Sequence, residues 1–348
     1  MALSMRPTGW FQIGWSGQYA VGDVSPFKLC GNDLVAFRTE SGRLVVLSAY
    51  CQHLGAHLGY GGCVDGENIV CPFHGWQWTP EGTNALIPYQ DRPNYARKVQ
   101  PWVAFEKHGV AFVWHDVHGR DPLWDVPDLF TDVSDQGLSP ADHYRPYPEA
   151  ASTVDDVTMH PQYMIENGVD FAHFKYVHRS ALPEILGNEQ GETWFRASMD
   201  LTYGAGKEKT WLTPTGPAKV TLHNLFSGVG ITFSAFEGAD AARTILAVTP
   251  IDDKHCTVYS TVWLPRLPGD TGDALPEKLL RRLHETKRQV VNDVEIWRRM
   301  QYTEPAGLAT AEGKGFTEMR RWARRFYPDD KANSMFEGAH RVGTGVGG

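Results

Sequence analysis

Residues 51–74 read C-Q-H-L-G-A-H-L-G-Y-G-G-C-V-D-G-E-N-I-V-C-P-F-H, and this stretch decides the fold of the first part of the chain. Cys51 and His53 form a Cys-X-His pair, and Cys71 and His74 form a Cys-X-X-His pair after 17 intervening residues. Each pair lies in a stretch rich in Gly and Pro, which predicts a loop. The short run 68–70 predicts a strand that leads into the second loop. Two thiolates and two imidazoles are therefore predicted to meet at one centre.

This ligand set suits either of two metal centres. In a Rieske-type [2Fe-2S] cluster, Cys ligates one iron and His the other, which raises the reduction potential above that of an all-Cys cluster. Structural zinc takes the same ligand types, usually as a Cys pair followed by a His pair. Cys and His alternate within each pair here, and the segment resembles the Rieske motif. We predict the iron–sulfur cluster, with zinc as the alternative and with the nearby His57 outside the ligand set.

The residues around the motif resemble those of oxygenase-type rather than respiratory Rieske proteins. Respiratory proteins carry an additional Cys in each loop, and Ala56 and Phe73 stand at the matching positions. The residues after the second His, Gly75-Trp76-Gln77-Trp78, lack the hydroxyl that donates to a cluster sulfur in the respiratory type. Fewer donors favour a lower reduction potential. An oxygenase-type cluster passes electrons to a second metal, so another iron site is predicted further along the chain.

Length and composition indicate a globular chain with room for two domains. It has 348 residues, of which 42% are hydrophobic and 21% charged. The start has no apolar signal segment, and no uncharged apolar run of about 18 residues occurs, so a cytoplasmic protein without a membrane span is expected. The net charge of -8 argues against a nucleic-acid partner. Five Cys are too few and too scattered for a disulfide framework.

The pattern of strands and prolines divides the chain. A β domain is predicted over 9–118, because strand-like runs recur there with a hairpin turn at 39–42 between two of them. These runs lie at residues 34–37, 43–47 and 110–114. Residues 119–150 contain five prolines and are expected to form an irregular connection. A catalytic domain is predicted over 151–330, and a flexible Gly-rich tail over 331–348.

A second set of metal-binding side chains occurs in residues 160–178. On a helix, Asn167, Asp170 and His173 fall on one stripe at three-residue steps. His178 lies about 140° from His173 on a regular helix, so the helix is predicted to end or distort just after His173. Two His with one carboxylate form the facial triad of non-haem Fe(II) oxygenases. Without the cluster motif upstream, surface or capping histidines would be the preferred interpretation.

The carboxylate is predicted on a helix spanning residues 276–300. Asp293 lies on the apolar stripe of this helix, with apolar neighbours three residues before it and four after it. A buried acid needs a partner that offsets its desolvation, and iron provides one. Glu285 and Glu295 have Arg neighbours and are predicted to form ion pairs on the solvent face. We therefore predict Asp293 as the third iron ligand, with the two histidines.

The cluster residues and the 167–178 segment together resemble the α subunit of Rieske non-haem iron oxygenases, over nearly the whole chain. The resemblance implies an α+β fold, with an N-terminal Rieske β domain and a helix-grip (START-like) catalytic domain whose antiparallel sheet, predicted over 193–264, is gripped by a long helix. It implies a [2Fe-2S] cluster and mononuclear Fe(II) as cofactors. It also implies a homotrimer in which Asp170 hydrogen-bonds across the interface, between a cluster His and an iron-ligand His.

Further segments narrow the resemblance. Residues 167–178, 293–298 and 320–327 are similar to the oxygenase component of 3-ketosteroid 9α-hydroxylase. Gly75 departs from it, because the steroid enzymes carry an acid at the matching position. The resemblance implies a bulky apolar, steroid-like substrate in a pocket above the iron.

These observations predict a monooxygenase that uses O2 and electrons from a separate flavin or ferredoxin reductase. Two alternatives use the same metals: O-demethylation of a methoxyarene and dihydroxylation of an arene. A third alternative, of another class, is a Rieske electron carrier or lipid-binding protein without catalysis of its own. Such a carrier would hold two irons per chain, whereas the oxygenase would hold three.

Overall fold

The computed structural model describes residues 3–204 and 216–328. The chain forms two parts rich in β structure, with four α-helices in the described ranges. The predicted α+β class is therefore confirmed. The tail predicted over 331–348 lies outside the described residues. None of the helices in the described ranges is both long and apolar enough to cross a membrane.

The N-terminal part is built from short antiparallel strands. These are β1 (Gly9–Trp15), β2 (Val24–Leu29), β3 (Asn32–Arg38), β4 (Leu44–Ser48), β5 (Cys63–Asp65), β6 (Asn68–Val70), β7 (Gln77–Trp78), β8 (Asn84–Leu86), β9 (Pro101–Trp102), β10 (Ala104–Lys107) and β11 (Val110–His115). They form three sheets in the orders β1-β11-β10, β2-β3-β4-β9 and β5-β6-β7-β8. The hairpin turn predicted between β3 and β4 is present, and the amide of Thr39 donates to the carbonyl of Arg43. The third sheet carries both Cys-His loops: the first precedes β5, and the second joins β6 to β7.

The C-terminal part is one seven-stranded antiparallel sheet with helices against it. Its strands are β12 (Ala151–Thr158), β13 (Glu184–Gln190), β14 (Trp194–Tyr203), β15 (Ala218–Ser227), β16 (Ile231–Gly238), β17 (Arg243–Pro250) and β18 (His255–Trp263), in the order β12-β18-β17-β16-β15-β14-β13. The helices are α1 (Gln162–Asn167), α2 (Phe171–Tyr176), α3 (Glu277–Trp297) and α4 (Gly313–Ala323). Helix α3, predicted over 276–300, packs against β12 and β18.

The single helix stripe predicted for Asn167, Asp170 and His173 is wrong, because α1 and α2 are separate helices. Gly168 lies at the break, where a Cβ would lie 2.8 Å from Cε1 of Phe226. Asp170 caps α2 by accepting from two amides at its start, at 3.0 and 3.2 Å. Helix α2 ends at Tyr176, not directly after His173.

An ion pair joins α4 to α1. Arg320 on α4 donates to both carboxylate oxygens of Glu166 on α1, at 2.9 Å each, and both side chains are largely buried. This bidentate geometry fixes the relative position of the two helices. Helix α1 is thereby held in place at the point where it leads into the 167–178 segment.

The irregular connection over 119–150 is packed between the two parts. Its side chains Val126, Leu129, Phe130 and Val133 are buried in one apolar cluster. That cluster also holds Trp10, Trp15, Val110, Phe112 and Trp114 from the N-terminal part and Leu225, Phe233, Ile245 and Trp263 from the C-terminal sheet. The connection therefore contributes core residues to the contact between the two parts.

Candidate metal centres and substrate cavity

The two Cys-His loops share one pattern of backbone hydrogen bonds. In each, the Cys amide donates to the carbonyl five residues later, and the amide four residues later donates to the Cys carbonyl. The bonds are Cys51 to Ala56 (2.9 Å), Gly55 to Cys51 (2.9 Å), Cys71 to Trp76 (2.8 Å) and Gly75 to Cys71 (3.0 Å). Gly55 and Gly75 have φ of 79° and 70°, the left-handed region that favours glycine. The same local fold thus presents a Cys and a His twice.

The two histidines of these loops face each other, and the two cysteine thiols interact with each other. The imidazole rings of His53 and His74 lie 4.8 Å apart between centroids, and both Cys are buried. Nδ1 of His74 is buried and has no hydrogen-bond partner in the described ranges. Burial raises the pKa of the Cys51 thiol to about 11, so a thiolate there needs a cation to stabilise it. An orphaned imidazole nitrogen beside buried thiols fits an iron–sulfur cluster.

Trp78 supplies a donor that sequence reasoning missed. Its indole N–H donates to Sγ of Cys51 at 3.3 Å, and both residues are buried. The hydroxyl expected to be missing after the second His is indeed absent, but the sulfur still has a side-chain donor. No sequence signal could identify this contact, because it joins β7 to the other loop.

The second predicted site also comes together. His173, His178 and Asp293 each offer a ligand atom, and these atoms lie within 4.8 Å of one another; no other such group occurs in the described ranges. Nε2 of His178 is 3.3 Å from Oδ1 of Asp293, and the side chains of this pair are largely buried. His173 lies on α2, His178 in the turn after it and Asp293 on α3. Two imidazoles and one carboxylate in this arrangement can hold Fe(II) with positions left open.

The surroundings of His173 keep it neutral and oriented. Its Nδ1 donates to the Asp170 carbonyl, which leaves the lone pair on Nε2, 3.1 Å from the Asn167 amide nitrogen. Burial lowers the pKa of the imidazole, so the uncharged form that binds a metal is favoured. The Asp170 carboxylate accepts from backbone amides within its own chain. Its predicted role across a subunit interface stays a prediction.

A cavity of about 190 Å³ opens beside these three residues, between the sheet and α3. The surface that lines the cavity is mainly apolar. A row of polar side chains nevertheless crosses the sheet, because Asn224, Ser234 and Thr244 lie opposite one another on three neighbouring strands. Ser234 Oγ donates to Asn224 Oδ1 at 2.7 Å. Within the described ranges nothing accepts from the Asn224 amide N–H groups, so they can donate to a ligand. Sequence reasoning missed this row, because strand register brings it together.

The helix wall of the cavity carries acids and an amide at four-residue steps. Glu285, Gln289 and Asp293 all line it. The ion pair predicted for Glu285 is present, at 2.6 Å to Arg288, but this side chain is only partly exposed and also faces the cavity, which the sequence did not predict. The ion pairs predicted for Glu295 are present, at 3.1 and 2.8 Å to its two Arg neighbours.

Two family models match the chain. The Rieske [2Fe-2S] domain matches residues 9–103, and the 3-ketosteroid 9alpha-hydroxylase C-terminal domain matches residues 113–327, which is more than half of the chain. The chain belongs to the Rieske non-haem iron oxygenases. This oxygenase therefore carries a [2Fe-2S] cluster and mononuclear iron, and zinc at the Cys-His loops is rejected. It is an oxidoreductase that works as one component of a system with a reductase.

Curated relatives of the oxygenase include enzymes named for steroids. The oxygenase component of 3-ketosteroid-9-alpha-monooxygenase from Rhodococcus rhodochrous is 26% identical over 330 residues, covering 92% of this chain and 84% of the relative. Cholesterol 7-desaturase from Bombyx mori is 34% identical over 348 residues, covering 93% of this chain and 70% of the relative. The electron-carrier alternative does not fit relatives that are themselves oxidising enzymes.

Solved structures of other Rieske oxygenases share the fold. Dicamba monooxygenase bound to dicamba has a TM-score of 0.65 at 17% identity, covering 93% of this chain and 98% of that one. NdmA of Pseudomonas putida CBB5 has a TM-score of 0.66 at 16% identity, covering 95% and 92%. Identities this low establish a common fold and leave the substrate open.

The departure at Gly75 has a local explanation. This residue has φ of 70°, and a Cβ on it would lie 2.9 Å from Cγ of Pro88. An acid at this position would therefore need a shift of Pro88 as well as a strained backbone. In this oxygenase Pro88 packs closely against the second loop, and the glycine at position 75 leaves room for it.

Proposed function

We propose that this chain is the oxygenase component of a multi-component monooxygenase that hydroxylates a bulky apolar, steroid-like substrate with O2. One observation carries the proposal: His173, His178 and Asp293 form part of the wall of a mainly apolar cavity. A substrate in this cavity would present its C–H bonds directly to the metal group. A substrate that fills this cavity would displace water from the reacting bond, which would protect the chemistry from side reactions.

The geometry of the two centres supports the proposed ligands. Cys51 and Cys71 would hold one iron of the cluster, and His53 and His74 the other. The orphaned Nδ1 of His74 and the need for a cation beside the Cys51 thiol support this assignment. The mononuclear iron would be held by the three residues described above.

The chain's own residues then have defined tasks. When bound, the two metal centres supply one-electron transfer and activation of O2. His173 contributes a neutral imidazole, whose orientation is fixed by its bond to the Asp170 carbonyl. Asp293 contributes a charge held on the rigid helix α3. The apolar cavity wall orients the substrate by shape, and Asn224 can hold a substrate oxygen through its free amide N–H groups.

Electron transfer is proposed to pass between subunits of a homotrimer, with Asp170 linking a cluster His to an iron-ligand His. Exposed apolar side chains support an interface at both ends of that path. Leu54, Tyr60 and Phe73 are 66%, 70% and 61% exposed beside the cluster loops. Tyr176 and Leu182, which flank His178 along the chain, are also exposed. Apolar surface of this extent favours contact with another chain.

Desaturation of a sterol is the second candidate. The relative of 34% identity is named cholesterol 7-desaturase, which is a higher identity than that of the ketosteroid monooxygenase from Rhodococcus rhodochrous. Both reactions begin by breaking a C–H bond of a similar ring system. The product distinguishes them: hydroxylation adds one oxygen atom, whereas desaturation removes two hydrogen atoms.

The proposal is tested by single-turnover product analysis with chemically reduced, iron-replete protein and O2. The panel contains 3-ketosteroids, 3-hydroxysterols and methoxyarenes. A hydroxylated steroid in an amount set by the mononuclear iron supports the monooxygenase, and a new double bond supports the desaturase. Demethylation of a methoxyarene alone would overturn the steroid substrate while leaving the metal assignments in place.

A matched variant tests whether the assigned residues form the iron site. Three irons per chain are expected in the wild-type protein. Asp293→Ala should retain two, with the cluster spectrum unchanged, whereas Glu295→Ala on the solvent face of the same helix should retain all three. Three irons in Asp293→Ala would refute the ligand assignment.

A further inference from the structure

The indole of Trp78 is the feature of the cluster region that the proposed function does not use. Its N–H donates to Sγ of Cys51 at 3.3 Å. In the part of the chain that the structure describes, no other side-chain nitrogen or oxygen donates to the sulfur of Cys51 or Cys71. The two proposed Cys ligands are therefore unequal: one sulfur has a side-chain N–H donor and the other has none.

The position of this indole is fixed by the fold. Trp78 lies on β7, where it is paired with Ile69 of β6, and it is completely buried in the apolar core beneath the loops. Cys51 belongs to the first loop, whereas Trp78 follows the second, so the bond connects the two halves of the site. An indole nitrogen is only a donor, so the direction of the bond is not in question. Burial of both partners keeps water from replacing the indole.

We propose that Trp78 raises the reduction potential of the cluster through this hydrogen bond. The inference rests on the proposed ligation of the cluster by Cys51. One-electron reduction adds a negative charge to the cluster and its sulfur ligands, and an N–H donor stabilises the more negative state more strongly. The surroundings are buried and of low polarity, which strengthens the electrostatic part of the bond. Hydrogen bonds to the sulfurs are one of the factors that set the potentials of such clusters.

This assignment changes the expectation drawn from the sequence. The absence of a hydroxyl in residues 75–78 predicted a low potential. The indole compensates for part of that absence, because it places an N–H donor on a ligand sulfur. Trp76, two residues earlier, does not duplicate it: its ring stacks on His53 at 4.5 Å and its N–H donates to the hydroxyl of Tyr89.

The test compares two substitutions of the same kind in the cluster-loaded protein. Trp78→Phe removes the N–H and keeps an aromatic ring in the core. Trp102→Phe is the matched control, because that indole lies in the same half of the chain and donates to Ser48 Oγ at 3.2 Å, not to a sulfur. The reduction potential is measured by redox titration followed in the visible absorption and circular dichroism of the cluster. Iron and sulfide content is measured for each variant.

Trp78→Phe is expected to lower the equilibrium constant for one-electron reduction about tenfold, which is about 59 mV, while Trp102→Phe leaves it unchanged. A Trp78→Phe protein with a full cluster and the wild-type potential would overturn the inference. So would an equal shift in both variants, since that would indicate a general packing effect.

A second measurement covers the case in which Trp78→Phe does not assemble a cluster. Trp76→Phe protein, which lacks the indole stacked on His53, is labelled with ¹⁵N in its Trp indoles, reduced and examined by pulsed EPR. A ¹⁵N coupling to the reduced cluster supports the bond, and its absence refutes it. A wild-type protein without Rieske absorption and EPR signals would instead refute the ligand assignment, so the two failures are distinguishable.

Discussion

Replacing Gly168 with Ala is expected to damage the iron-binding half of the molecule and to spare the cluster half. Gly168 has φ of -73°, which Ala adopts without strain, so only steric contact is at issue. A Cβ there would lie 2.8 Å from Cε1 of Phe226 and closer still to Cζ, and the Phe226 ring is completely buried. Close-packed cores have no space for such a ring to move into, and overpacking of this kind costs about 1–3 kcal/mol.

The assay for Gly168→Ala has three readouts: thermal stability, mononuclear iron content and the cluster spectrum. We expect a Tm lower by several degrees, loss of part of the third iron and an unchanged cluster spectrum, because Gly168 lies between α1 and α2, just before His173. Gly313→Ala is the control, since a Cβ there has no atom within 4 Å. Adding Phe226→Leu should restore part of the loss. Wild-type stability and iron content in Gly168→Ala would refute the steric reasoning.

Three further predictions concern the site and its support. His173→Ala should abolish turnover and lower the iron content from three to two per chain while the cluster spectrum stays intact; wild-type turnover would contradict the iron assignment. Asn224→Leu should raise the KM for a substrate that accepts its hydrogen bond about tenfold, and should not change the KM for an analogue without that oxygen. Burial lowers the pKa of His160 from 6.5 to about 4. Between pH 6.5 and pH 4 the unfolded state therefore binds more protons than the folded state, so the free energy of unfolding decreases as the pH falls from about 6.5 towards 4. His160→Gln should flatten that loss, measured as the unfolding free energy in urea against pH.

The parts of the site that sequence could predict are those with short-range patterns. Cys51, His53, Cys71 and His74 were predicted from their spacing. The two imidazoles lie close together and both thiols are buried, and the role of the four side chains as ligands stays a prediction. The prediction of Asp293 required a further step of reasoning: an acid on the apolar face of a helix loses its hydration and needs a positively charged partner. The predicted burial of Asp293 is present, because helix periodicity converts sequence position into burial, and its role as an iron ligand stays a prediction.

The errors arose where a cap or tertiary packing overrides the periodic pattern. Three-residue steps predicted one helix through Asn167 and His173, but the chain forms two helices and the Asp170 carboxylate caps the second. Glu285 has Arg neighbours typical of a solvent face, yet the position of α3 over the sheet brings it to the cavity. The cap is a local contact that residue spacing does not reveal, whereas the position of Glu285 depends on packing of α3 against the sheet.

The polar row and the Trp78 contact could not be predicted for the same reason. Asn224, Ser234 and Thr244 become neighbours only through the register of three strands, and a slip of one residue would turn them to the other face of the sheet. A single sequence carries no direct signal of register. The proposed substrate-binding surface is therefore the part of this oxygenase that its motifs describe least.

The connection between the two parts limits how this enzyme can be recombined with its relatives. Phe130 and its buried neighbours belong to the same apolar cluster as Trp114 on one side and Phe233 on the other. In a chimaera joined near residue 118, the connection of one parent would pack against the strands of the other parent, and the buried side chains at this contact would no longer match in volume. When the cluster-binding part is exchanged between oxygenases, the side chains of the connection must therefore be redesigned as well, because they pack against both the N-terminal and the C-terminal part.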